Sequence, residues 1–321
     1  MRTNKSICLY CFGDLNARGF CNTCKKRAND KPNLPHHVQK RTVLGGRYLI
    51  AGVLGAGGFG ITYLAWDLAH ARKVALKEFY PAKFVSRAPS SNRVIINDFN
   101  NRQIANRGLR HFVDEAKILS KLKDTPGIVS VYNFFPENNT AYMVMEFLDG
   151  LSLLEMLQKG GRQPIDKLLK ILHPIAKALV AVHKLGLVHR DIALDNIIIT
   201  PKSTVLIDFG AAKYSNWDGK SISVILKHGF APPEQYDNRS QQGPWTDVYA
   251  LAATIYSGIT GMLPLESVQR LAKDTLQPPS ELGISIAPRQ EQALMRAMHI
   301  DPKKRYRDMQ QLMIGLFPMA K

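Results

Sequence analysis

The sequence predicts an α+β protein that carries a small four-cysteine module at its start. A glycine-rich loop lies between two strand-like runs. Helical apolar spacing marks Phe112 to Leu122, and the longest apolar run, Val248 to Leu265, reads as a second helix. All four cysteines fall within the first 24 residues. The 321 residues are long for one ordinary domain and short for three. Hydrophobic content of 45% and charged content of 21% exclude wholesale disorder. The formal net charge of +17 would suit nucleic acid, an anionic membrane or an acidic protein. The Lys and Arg residues are spread along the chain, however, and the tightest runs are only Lys25-Lys26-Arg27 and Lys303-Lys304-Arg305. The opening residues have no apolar core of signal length. Val248 to Leu265 follows Asp247, holds two glycines and ends near Pro264, which suits a buried core helix better than a membrane span. A protein without a membrane span, in a reducing cytoplasm, is the expectation.

The cysteines read Cys8-Leu9-Tyr10-Cys11 and Cys21-Asn22-Thr23-Cys24, spaced C-x2-C-x9-C-x2-C. Two tight turns of this kind can surround one tetrahedral Zn²⁺ with four thiolates. Gly13 and Gly19 allow the chain between them to reverse. A segment so short cannot bury a core, so a metal would supply its folding energy. Residues 1–27 resemble a small zinc ribbon of structural type, since four cysteines leave no open coordination position. Disulfides are the alternative. Residues 28–44 are polar and basic, with Pro32, Pro35, His36 and His37, and read as a mobile linker.

Arg47 to Ala51 reads as a strand leading into Leu54-Gly55-Ala56-Gly57-Gly58-Phe59-Gly60. Glycines at this spacing let a backbone approach phosphate oxygens and present bare N–H groups. Dinucleotide-binding folds share the pattern but follow it with a helix. Here Ile61 to Trp66 reads as another strand. Next come Val74-Ala75-Leu76-Lys77 on a strand and the amphipathic helix from Phe112, on which Glu115 lies on the inward stripe and Asp114 one position off it. The stretch from Pro81 to Asn101 reads as an insertion with a short strand at Arg93 to Ile96. Thr140 to Glu146 reads as a strand running into Phe147-Leu148. Further on stand His189-Arg190-Asp191-Ile192-Ala193-Leu194-Asp195-Asn196, then Ile207-Asp208-Phe209-Gly210, then Ala231-Pro232-Pro233-Glu234.

In this order the motifs resemble the eukaryotic-like (Hanks-type) Ser/Thr protein kinases of bacteria, over about Gly45 to Leu316. The resemblance implies a bilobal protein-kinase fold: a small antiparallel-β lobe with one helix at 45–147, and a larger helical lobe at 148–316. It implies ATP and Mg²⁺ as cofactors and Ser or Thr of a protein as substrate, with autophosphorylation. ATP would be bound by Leu54, Gly55, Ala56, Gly57, Gly58, Phe59, Gly60, Thr62, Ala75, Lys77, Glu115, Met145 as gatekeeper, the backbones of Glu146 and Leu148, and Ile198. Asn196 and Asp208 supply hard oxygen ligands for Mg²⁺. Asp191 accepts the substrate hydroxyl proton, and Lys77 reaches the α- and β-phosphates. Glu234 with Arg305, and Asp247, take scaffold roles. Many relatives continue into a membrane span, whereas this sequence stops at the last helix, which favours a soluble form.

The sequence departs from the family at two linked places. Ala193 stands where such kinases place the Lys that contacts the γ-phosphate. Lys227 stands where they place a Thr, seven residues before Glu234. Lys227 is therefore expected to restore the missing charge from the opposite wall, a point-charge task that suits a flexible Lys. Thr62 replaces the usual Val above adenine. Tyr214, Ser215, Ser221 and Ser223 are candidate phosphosites that could pair with Arg190. A pseudokinase scaffold, a zinc-ribbon adapter for a protein or nucleic acid, and a small-molecule phosphotransferase are the competing functions. Intact Lys77, Asp191, Asn196 and Asp208 argue against the first.

Overall fold

The computed structural model describes residues 6–28, 31–88, 90–209, 213–214, 227–237 and 239–317. It divides into two compact units, Met1–Lys121 with Ser130–Leu148, and Leu122–Val129 with Asp149–Lys321.

The first unit is built on a six-stranded antiparallel sheet. Its strands are β1 (Val43–Leu44), β2 (Tyr48–Ala56), β3 (Gly60–Asp67), β4 (Arg72–Phe79), β7 (Val131–Glu137) and β8 (Thr140–Glu146), in the order β1-β2-β3-β4-β8-β7. Alternation along β3 sends Ile61, Tyr63 and Ala65 into a buried cluster with Tyr48, Ile50 and Leu76. The insertion after β4 forms a hairpin of β5 (Val85–Arg87) and β6 (Val94–Ile96), close to the strand expected there. Helix α1 (Arg102–Lys121) begins ten residues before the apolar spacing suggests. Its early turns bury only small residues, Ala105 and Gly108, which leave little periodic signal.

Beneath the sheet lies a buried charge that no motif announces. Glu78 is fully buried and accepts hydrogen bonds from Tyr63 Oη (2.7 Å), Tyr142 Oη (2.8 Å) and Arg87 Nη2 (2.6 Å). The stretch read as a mobile linker is tied to this network. Val38 is buried and its N–H donates to Tyr63 Oη at 3.0 Å, while the His36 carbonyl accepts from Arg87 Nε at 2.9 Å. Val38 thus joins the sheet's core and His37 is buried, so the second half of this stretch is packed chain, whereas residues 31–36 are mostly exposed.

The cysteine segment also packs on this sheet. Ile7, Leu9 and Phe12 are buried with Leu49 and Ala51, and Phe12 stacks on Trp66 with ring centroids 4.8 Å apart. Such a stack contributes about 0.5–1.5 kcal/mol beyond the area it buries.

The second unit is mostly helical. It comprises β9 (Leu151–Ser152), α2 (Leu153–Gly160), α3 (Ile165–Lys184), β10 (Leu187–Val188), β11 (Ile197–Ile199), β12 (Thr204–Leu206), β13 (Lys213–Tyr214), α4 (Pro244–Thr260), α5 (Ser267–Ala272), α6 (Pro288–Ala297) and α7 (Met309–Leu316). The apolar run read as a core helix is α4, in which every residue from Thr246 to Thr260 is buried. Among the described residues, no helix is long and apolar enough to cross a membrane.

A buried ion pair joins two distant stretches of this unit's sequence. Arg305 donates to both carboxylate oxygens of Glu234, at 2.7 and 3.0 Å, and to the carbonyls of His299 and Ile300. Both side chains are almost wholly shielded from water. Removing one partner strands the other charge, so Arg305→Ala is expected to destabilise the protein by about 3–5 kcal/mol. Denaturant unfolding followed by circular dichroism would check this, and a loss below about 1 kcal/mol would contradict the assignment.

Candidate active site

In the first unit, strand register brings the expected nucleotide-binding residues onto one face. Lys77 pairs with Thr62 on one side and Met143 on the other; Ala75 pairs with Leu64 and with Met145. Directly paired residues of antiparallel strands project to the same side. The Lys77 ammonium lies 3.8 Å from Glu115 Oε1, and both side chains are largely buried. Asp114, by contrast, is exposed and pairs with Lys117 at 3.3 Å, as its place off the helical stripe implies.

The glycine loop closes with the Gly57 N–H donating to the Gly60 carbonyl at 2.9 Å. A Cβ at Gly60 would lie 2.7 Å from the Glu78 carbonyl oxygen, so internal packing accounts for that glycine. A Cβ at Gly55 or Gly57 would meet nothing within 4 Å. Packing does not require those two glycines, and their bare backbone fits the close approach of an external group. Leu54 and Phe59 are exposed beside them. The Glu146 N–H donates to the Ser130 carbonyl at 2.9 Å. That residue's N–H is therefore already engaged.

In the second unit, the hairpin of β11 and β12 sets the catalytic segment. Ile197 pairs with Leu206, and the Ile207 N–H donates to the Asn196 carbonyl at 2.9 Å, which puts Asn196 and Asp208 at neighbouring strand ends. Ile198 lies half-buried on β11. Asp208 adopts a left-handed φ of 63°, an uncommon backbone state that tends to occur at functional sites.

Asp247, at the start of α4, holds the loop before Asp191. Its carboxylate accepts the backbone N–H groups of His189 and Arg190 and a bond from His183 Nε2, each at 2.8 Å. Burial alone would raise its pKa, yet these bonds hold it below the ordinary carboxylate range. The N–H of Asp191 donates to His189 Nδ1 at 3.2 Å. Burial pushes His189 down to about 4, so it is neutral near pH 7 and can accept.

Asn196 Nδ2 donates to the Asp191 carbonyl and to Asp191 Oδ2, both at 2.8 Å. That leaves Asn196 Oδ1, with the Asp208 carboxylate, as hard donors suited to Mg²⁺. Lys227 Nζ lies 2.7 Å from Asp195 Oδ1 and 3.7 Å from Asp191 Oδ2. Ala193 is wholly buried and offers no charge. Burial pushes Asp191 up to about 7, with Asp208 and Asp195 adding to the rise while Lys227 and the Asn196 amide oppose it.

Three partners were not singled out from sequence. His183 carries no motif. Asp195 was visible only as a position in the catalytic stretch. Gln235, next to Glu234, donates to the Arg190 carbonyl at 2.8 Å. The Arg190 guanidinium is half-buried, and its Nε has no hydrogen-bond partner among the described residues. Gly210, Ser215, Ser221 and Ser223 lie outside the described residues, as does the side chain of Tyr214.

The four thiols form a separate candidate metal site. Their sulfurs all lie within 4.8 Å of one another, with Cys8 to Cys24 at 3.7 Å and Cys11 to Cys21 at 3.4 Å. A tetrahedral Zn²⁺ with sulfur at about 2.3 Å needs sulfur–sulfur edges of about 3.8 Å. The backbone N–H groups of Cys24 and Thr23 point at Cys21 Sγ and pull that thiol down to about 6. The cluster therefore fits zinc, and all four cysteines are free.

Residues 48–314 match the protein kinase domain family. A probable serine/threonine-protein kinase of Clostridium perfringens is 29% identical over 291 residues, covering 87% of this chain and 39% of that protein. Serine/threonine-protein kinase D of Synechocystis sp. is 32% identical over 275 residues, covering 81% of this chain and 50% of that protein. The chain thus spans about half the length, or less, of these curated relatives. The solved structure of the PpkA-294 apo form superposes with a TM-score of 0.76 at 33% identity, covering 88% of this chain and 99% of that one. The order of motifs, the pairings that hold Lys77 and Asp191, and a match over most of the length agree: this chain belongs to the protein kinase family.

Proposed function

We propose that the chain is an ATP-dependent protein serine/threonine kinase that phosphorylates a protein hydroxyl and its own activation segment. The observation that carries this reading is the Asp191 carboxylate, held at 2.8 Å by Asn196 and faced by the Lys227 ammonium in a largely desolvated setting. A general base works best with a pKa near the operating pH, and Asp191 is tuned there. Its carboxylate orients the substrate hydroxyl and takes its proton as the phosphoryl group arrives.

Lys77, steadied by Glu115, would bind the α- and β-phosphates, and Gly55 to Gly60 would cover them. Thr62, Ala75, Met145, Leu148 and Ile198 would enclose adenine, with the Glu146 carbonyl on its edge. Asn196 and Asp208 would hold Mg²⁺, which when bound neutralises the phosphate charge. Arg190 would receive a phosphate from the activation segment. The four free thiols support a reducing, cytoplasmic setting. Ala193 favours the scaffold alternative, but Lys227 offers the charge that Ala193 lacks.

Purified protein with Mg²⁺ and labelled ATP is expected to acquire phosphate on Ser or Thr, read by mass spectrometry. Asp191→Asn should lower the rate by about 10²–10⁴-fold. No label on the wild-type protein or on a general protein substrate, despite ATP binding, would move the reading to a scaffold.

Lys227→Ala is expected to lower kcat by about 10–100-fold, less than a fully buried donor would because Lys227 is part-exposed. Nucleotide affinity should stay within about twofold, since only a charge acting on the transition state is lost. Full turnover in this variant would dismiss the role.

Asp191 must be ionised to act, so kcat/KM, which reports the free protein, should fall as pH drops through about 7. Removing the Lys227 ammonium raises Asp191 further, and the limb should move to higher pH. An unmoved limb in the pH–rate profile of Lys227→Ala would separate the two groups. The same shift has a stability consequence. The folded protein holds the Asp191 proton more tightly than the unfolded chain, so ionisation costs stability as pH rises from about 4 to above 7. Asp191→Asn should therefore raise Tm at pH 8 and lose that advantage near pH 4.

A further inference from the structure

The phosphotransfer proposed above makes no use of the cysteine knuckle, yet sheet register puts the knuckle on the nucleotide-bearing face. Along β3, Thr62, Leu64 and Trp66 share one side of the sheet. Thr62 is paired with Lys77, and Leu64 with Ala75. Leu64 and Trp66 are in turn covered by Ile7, Leu9 and Phe12. The cover is therefore continuous with the surface assigned to ATP.

Strand β2 repeats the arrangement. Its pairing with β3 shifts twice, between Ile50 and Gly52 and again between Val53 and Gly55, leaving Ala51 and Leu54 as extra residues. Such bulges bend a strand and loosen its ladder locally. Ala51 lies under the knuckle, and Leu54 opens the glycine loop three residues later. An open groove lined by Leu9, Tyr10, Ala51, Leu54 and Leu64 connects the two.

The contact is made by a residue in an unusual state. Phe12 follows Cys11 directly and has a φ of 63°, which a bulky side chain rarely adopts. Its N–H donates to the Cys8 carbonyl at 2.9 Å, so the thiol turn itself sets that conformation. The turn aims the ring at Trp66 only while the turn persists. The knuckle's buried apolar residues, Ile7, Leu9 and Phe12, pack on the sheet, so inside the knuckle the turn is held by backbone hydrogen bonds and the thiol cluster rather than by an apolar core of its own. Arg41 adds one tie, donating from Nη1 to the Ile7 carbonyl at 3.2 Å.

We infer that the metal-loaded knuckle is a structural wall of the nucleotide face, so that zinc occupancy sets nucleotide affinity through Phe12 and the β2–β3 pair. This rests on the readings that the four thiols hold zinc and that the glycine loop binds ATP. Loss of the metal frees the turn, lifts Phe12 from Trp66 and uncovers Leu49, Ala51 and Leu64. The strands that carry the glycine loop then lose one of their two packed faces.

The test uses the full chain purified under reducing conditions. Elemental analysis is expected to find about one zinc per chain. Stripping it with a chelator should speed amide hydrogen exchange across 48–66 and weaken binding of a non-hydrolysable ATP analogue with Mg²⁺ by about tenfold. Phe12→Ala keeps all four thiols and should retain zinc while reproducing both changes in part. Protein that carries no zinc, or zinc-free protein with unchanged exchange over 48–66, overturns the inference. So does a Phe12→Ala variant that binds the analogue within twofold of wild type. Exchange is read without nucleotide. A zinc-loaded chain that binds no analogue therefore counts against the kinase reading, while its exchange response still decides the wall.

Discussion

The catalytic segment depends on one buried carboxylate. Asp247 stands in the first turn of the fully buried helix α4 and takes three hydrogen bonds, two of them from the backbone of His189 and Arg190. Those two bonds hold Arg190 in its left-handed conformation, with φ at 70°. The next residue is Asp191, whose side chain is thereby turned toward Asn196 and Lys227. A helix packed on all sides moves little, and it passes that rigidity to a loop with no regular structure of its own.

A second constraint is electrostatic. Asp208 and Asp195 repel the charge of Asp191 where burial already disfavours it, and both effects push its pKa up. Lys227 is the described cation that bridges Asp191 and Asp195. A lysine at position 193 would supply charge from inside the loop. Here the cation beside Asp191 is Lys227, which stands well beyond that loop in the sequence.

The first unit balances buried charge differently. Glu78 is neutralised by Arg87 from the insertion hairpin and bonded by Tyr63 and Tyr142 from two strands. The same Tyr63 hydroxyl accepts the Val38 N–H, so the segment behind the cysteines is fastened to the core of the sheet. The knuckle, the linker and the sheet thus act as one packed body. A tether of loose chain could not transmit a metal-dependent change to the strands.

Residue order alone determined the motif-bearing parts. The glycine spacing, Lys77, the stretch from His189 to Asn196, Asp208, and the thiol pairs each need particular side chains at particular separations, which a linear pattern records. Helical spacing singled out Glu115 over Asp114, because only one of the two can lie on the inward stripe. The buried helix α4 was legible from its apolar run. Tertiary structure decided what depends on distant neighbours. The early turns of α1 bury Ala and Gly and leave no periodic mark. Residues 31–44 look like a polar linker until Val38 meets Tyr63. Glu78 and Arg87 carry no sign of their pairing in the sequence, because it forms only when the hairpin folds back. The partners of Lys227, and the covering of Trp66 by Phe12, arise only when separated segments meet, since a charge or an apolar ring carries no sign in the sequence of what will lie opposite it.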